Sequence, residues 1–183
     1  MGAGCSQRTT VTSPMKELDP RVPLNRMELE DVRTVWSYIK RKFEDTAKEM
    51  LIRFFRSHPY FLVMFPELRD LPDELDLRNS EYLEAHAMMT LTVFDDVIEN
   101  MDGDVDMLLE KLEDVARMHA KLEGFHSDFF QYMEEPFLEA LREKAWDNFV
   151  GHEDELFRKV FKWTEQTLSL EVEAIEYRLI PGD

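Results

Sequence analysis

Two of the five histidines sit where an imidazole is unusual. His86 falls three residues after Leu83 and four before Thr90, on the apolar stripe of a helical segment. His119 follows Val115 by four and lies on the apolar stripe of the next segment. An imidazole turned toward an apolar interior needs a partner. One outcome is a core histidine bonded to a backbone carbonyl. The other is ligation: two imidazoles facing each other from consecutive helices can hold the iron of a flat haem from both sides. A zinc centre needs more ligands, and no third His, Cys or carboxylate lies at ligand spacing on the same faces. Covalent c-type attachment needs a Cys-x-x-Cys-His run, and the one cysteine is Cys5. No Ser/His/Asp arrangement stands out, so a conventional enzyme is not expected, and any activity would be redox chemistry at a haem.

The elements that must carry these side chains are helical. Six Gly and eight Pro in 183 residues disfavour a turn-rich β domain, and no strand-like alternation or internal repeat appears. Residues 1–24 hold glycines, threonines and Pro14, Pro20 and Pro23 without a helical period, and read as a tail. A first helix is expected over Glu28–Phe43 with Asn25 as a cap, and a second over Asp45–Ser57. Pro59 opens a short third. Residues 66–79 form a loop with at most short turns. A long helix follows from Ser80 to Asn100, then the Asp102-Gly103 turn, then helices over Val105–Leu122, Ser127–Lys144 and Trp146–Leu170. The result is an all-α domain of seven or eight helices over residues 25–168, with a carboxy-terminal extension at 169–183.

Charge narrows the partners. Thirty-nine acids against 22 bases leave a net charge of −17. That argues against nucleic acid, which needs a basic face to displace counterions. It favours a basic partner if charge selects one. No run approaches the length of apolar chain a transmembrane helix needs. The chain begins Met1-Gly2-Ala3-Gly4-Cys5-Ser6, the N-myristoylation pattern, with Gly2 as acceptor and Cys5 placed for palmitoylation. One myristoyl chain binds membrane only marginally, so a second acyl chain on Cys5 would complete a stable anchor. The expected location is therefore the cytoplasmic face of a membrane, the cell membrane first among them.

At this point the chain resembles the globin family, in particular its acylated, hexacoordinate, invertebrate-type members. Residues 50–65, MLIRFFRSHPYFLVMF, resemble the globin passage from helix B through helix C, with Pro59 opening helix C and Phe65 as the haem-stacking phenylalanine. Trp36 matches the tryptophan of helix A. Residues 80–87, SEYLEAHA, resemble the start of helix E, which makes His86 the distal histidine. Residues 112–121, LEDVARMHAK, resemble helix F, which makes His119 the proximal ligand. The resemblance covers about residues 27–168 and implies a globin fold with the pocket between helices E and F, holding haem b. Leu51, Thr90 and Val115 would line it with Phe65. Thr90 departs from the usual aliphatic residue, and its hydroxyl either bonds back to its own helix or admits water near the iron.

Three functions compete. The first is electron transfer or redox signalling through a bis-histidyl haem tethered to membrane, with a basic redox partner such as a cytochrome. The second is reversible oxygen binding or sensing at a pentacoordinate haem. The third is a membrane-recruited helical interaction module without haem.

Overall fold

The computed structural model describes residues 17–71, 73–146, 149 and 151–179. Helix α1 (Arg26–Lys40) starts where its cap dictates. The Asn25 side chain accepts from the Met27 and Glu28 backbone N–H groups, while the Glu28 carboxylate accepts from the Asn25 N–H at 2.8 Å. This reciprocal capping satisfies donors the first turn leaves orphaned. Leu29, Val32, Val35, Trp36 and Ile39 recur at helical spacing and are all buried. Helix α2 (Phe43–Ser57) buries Ala47, Met50, Leu51, Phe54 and Phe55.

Pro59 opens a 3₁₀ segment, Pro59–Met64. The expected loop at 66–79 contains two short helices, α3 (Pro66–Arg69) and α4 (Glu74–Asn79), the latter capped by Asp73. Ser80 alone separates α4 from α5 (Glu81–Asn100) and caps it, its Oγ accepting from the Leu83 N–H. Asp104 caps α6 (Val105–His119) in the same way.

Beyond α6 the boundaries differ from the expectation. The helix expected from Ser127 begins as a 3₁₀ segment, Ser127–Met133, and α7 spans Glu134–Ala145. Pro136 explains the register, since a proline is tolerated in the first turn of an α-helix and clashes deeper inside one. The last helix, α8, starts at His152 instead of Trp146, after Gly151 at φ +62°, and runs to Leu179. It passes the expected end of the domain at residue 168 without a break, and Val172 beyond that point is fully buried. The segment expected as a tail also differs near its end. Val22 and Leu24 are buried, and the Trp163 indole N–H donates to the Arg21 carbonyl at 2.7 Å. Apolar side chains at Leu18, Val22 and Leu24 attach this stretch to the folded body.

The core is one cluster. Helix α2 packs on α5 and α7, and α6 packs on α8. Phe94 of α5 stacks on Phe137 of α7 with ring centroids 4.3 Å apart and on Phe161 of α8 at 5.6 Å. Trp36 is fully buried, and its indole N–H donates to Asp95 at 2.7 Å, satisfying the one polar atom it carries inside. The fold is all-α, as expected; among the described residues no strand occurs and no helix is long and apolar enough to cross a membrane.

Candidate haem site

Helices α5 and α6 bring the two histidines into one electrostatic neighbourhood. His86 is the sixth residue of α5 and half-buried. Its ring meets Phe65 edge to face, centroids 5.0 Å apart, and Phe65 in turn meets Phe55 at 5.0 Å. Burial, with a smaller contribution from the nearby His119, pushes the His86 imidazole down to about 4, so it is neutral at pH 7. Among the described residues its ring nitrogens form no hydrogen bond.

His119 closes α6. Its Nδ1 lies 2.9 Å from the Val115 carbonyl oxygen, one turn back. A carbonyl only accepts, so Nδ1 carries the proton and donates it, leaving the Nε2 lone pair free to ligate. Burial lowers its pKa, and the bond to the Val115 carbonyl works in the opposite direction. Phe125 and Phe130 flank the ring, each 5.1 Å away between centroids.

This donor set fits a haem iron. Burial lowers the pKa of both imidazoles, which favours the neutral form that ligation requires. One has its tautomer set by a backbone acceptor, the outer-shell arrangement that orients a metal-bound histidine. The rings in contact with the two imidazoles are Phe65, Phe125 and Phe130. No group of three or more His, Cys, Asp or Glu side chains converges among the described residues.

The other expected site residues fall in different places. Phe65 is half-buried and in contact with His86. Val115 is half-buried and supplies the carbonyl for His119. Thr90 is half-buried, and its hydroxyl donates to the His86 carbonyl at 2.9 Å, the back-bond to its own helix. Leu51 is 1% exposed, inside the core on α2. Gly2 and Cys5 lie outside the described residues. Phe125 and Phe130 are not among the site residues the sequence singles out, although both rings lie 5.1 Å from His119. The signal was the aromatic density of residues 125–130 directly after the α6 turn.

Residues 48–167 match the family model described as Globin, a span that includes both histidines. Among curated relatives, Cytoglobin-2 of Oryzias latipes is 26% identical over 129 residues, 70% of this chain and 72% of that protein. Globin-1 of Mordacia mordax is 27% identical over 99 residues, 54% of this chain and 65% of that one. A solved structure described as a hexacoordinated heme protein from an anhydrobiotic tardigrade aligns with a TM-score of 0.80 and 28% identity, covering 85% of this chain and 99% of that one. With the family match spanning well over half of the sequence, this chain belongs to the globin family and is a haem-binding protein.

Proposed function

We propose that the protein is a membrane-tethered redox globin in which His119 and His86 are the axial ligands of a non-covalently held haem b. The observation that carries the reading is the asymmetry between the two imidazoles. His119 has its Nδ1 committed to the Val115 carbonyl, while His86 is neutral, half-buried and without a hydrogen-bond partner among the described residues. A half-buried, neutral imidazole without a protein partner keeps a ring nitrogen available, and an iron atom would engage it. Bound haem supplies a one-electron couple whose potential the axial ligands tune. The chain's own contribution is to hold both rings neutral, to orient the His119 ring through Val115, and to wall the pocket with Phe65, Phe125 and Phe130.

The single cysteine, Cys5, leaves no thioether attachment, which supports the b-type group. Acylation at Gly2 and Cys5 would confine the protein to the cytoplasmic face of a membrane, and a confined relay gains effective concentration over a diffusing oxygen store. The net charge of −17 supports a basic redox partner of the cytochrome kind. The second reading, reversible oxygen binding or sensing, rests on the family membership and on His86 swinging off the iron. The ferrous, ligand-free absorption spectrum separates the two. Sharp low-spin bands support bis-histidyl ligation, and a broad high-spin band overturns it in favour of oxygen binding.

A further inference from the structure

Glu49 is a buried carboxylate on α2, 8% exposed, and it is gripped from two sides. Arg53, one turn on, lies 2.8 Å from Oε1, and Arg78 of α4 donates from Nη1 to Oε2 at 3.0 Å. Arg78 also donates from Nε to Glu74 at 3.1 Å, and Glu74 accepts from Arg56 of α2 at 2.7 Å. The four residues Glu49, Arg56, Glu74 and Arg78 therefore clamp α4 onto α2. A half-exposed ion pair is worth little alone, but a buried carboxylate stripped of one guanidinium is left undercompensated.

The place of this clamp in the chain gives it a consequence. Ser80 alone joins α4 to α5, and His86 lies about 8 Å along α5 from its start, at the helical rise per residue. The same turn of α5 is held by Lys48 of α2, 2.5 Å from Glu84, and His86 itself meets Phe65 with ring centroids 5.0 Å apart. These polar and aromatic restraints on the His86 turn come from the stretch between α2 and α5, and the Arg78–Glu49 pair among them rests on a carboxylate only 8% exposed. We infer that Arg78 is a positioning residue for His86: its clamp on Glu49 holds the start of α5 so that His86 stays on the iron, and release of the clamp lets His86 leave. This rests on the bis-histidyl reading above.

The test uses the full chain loaded with haem, in wild-type, Arg78→Met and Arg78→Lys forms. Carbon monoxide at saturating concentration binds the ferrous protein at the rate His86 departs. Arg78→Met is expected to raise that limiting rate about threefold or more, the factor a partly exposed ion pair commands, and to add high-spin character to the spectrum. Arg78→Lys should recover part of the wild-type behaviour. Amide hydrogen exchange over residues 74–86 should quicken in Arg78→Met. Faster exchange with an unchanged limiting rate and spectrum would reduce the clamp to a structural brace and overturn the inference. A wild-type ferrous spectrum that is already high-spin would instead bring down the bis-histidyl reading and this inference with it. Should Arg78→Met fail to fold, Glu74→Gln, at an exposed position, removes the outer half of the clamp; a limiting rate equal to wild type would likewise overturn the inference.

Discussion

The Nδ1 atom of His119 sits 2.9 Å from the carbonyl oxygen of Val115, so the backbone of α6 itself sets the tautomer of the candidate ligand. The acceptor comes from the turn directly below, where helical geometry places residue i−4 under residue i. No side chain is needed to orient the ring. His86, by contrast, is oriented by the edge-to-face contact with Phe65 and not by a hydrogen bond. One imidazole is held rigidly and the other by packing alone, which assigns them different tolerances to substitution.

Replacing His119 by Ala should abolish most haem binding, because the oriented ligand is lost. Replacing His86 by Ala should leave haem bound and turn the ferrous spectrum high-spin. Equal loss of haem in both variants would contradict this division of roles. The measurement is haem content and absorption after reconstitution.

Thr90→Val should be nearly silent. The hydroxyl already donates to the His86 carbonyl, so it offers no free proton to a ligand or to water in the pocket. Helix stability should change by no more than about 0.5 kcal/mol, since the back-bond contributes little and valine is almost isosteric. Autoxidation of the oxygenated form should stay within about twofold of wild type, a factor that corresponds to under 0.5 kcal/mol. A large slowing would show that the hydroxyl does bring water to the iron.

Acid should loosen the turn between α5 and α6 from α1. Asp102 accepts from Arg33 at 2.6 Å and from Arg26 at 2.8 Å, and the Arg33 guanidinium, opposed by partial burial, lowers its carboxyl from the ordinary 3.8 to about 2. A lowered folded-state pKa means the carboxylate stabilises the fold fully above pH 3.8. That contribution is lost as pH falls toward 2, when the folded state too takes up the proton. Asp102→Asn should cost on the order of 1–2 kcal/mol near neutral pH, and the difference from wild type should shrink between pH 4 and 2. Denaturant unfolding across that range measures it.

Phe137→Ala should destabilise by about 3–5 kcal/mol, because the ring is fully buried and stacked on Phe94. Thermal unfolding of the haem-free chain checks this without involving the site.

Gly2→Ala should move the protein from the membrane fraction to the soluble fraction. Myristoylation needs glycine at that position, and a palmitoyl chain on Cys5 depends on prior residence at the membrane. An unchanged distribution would count against acylation.

The helices and their inward faces were readable from residue order. Three-and-four spacing of Val32, Val35, Trp36 and Ile39, or of Leu83, Ala87, Phe94 and Val97, marks the buried stripe of a helix whatever it packs against, and all of these are buried. The Asn25 cap and the turn at Asp102–Gly103 were equally local. So was the appearance of His86 and His119 on apolar faces. What residue order left open depends on contacts between distant segments. Periodicity does not reveal that Glu49, a charged residue on an apolar helix face, is compensated by Arg78 twenty-nine residues later. Nor does it reveal that Val22 and Leu24 find a surface to cover, or that α8 continues to Leu179 because Val172 has core to reach. Local chemistry set which side chains would turn inward. Only the assembled helices, whose packing sums many weak contacts across the whole chain, decided which of those side chains meet, and set one imidazole against its own backbone carbonyl and the other against the Phe65 ring.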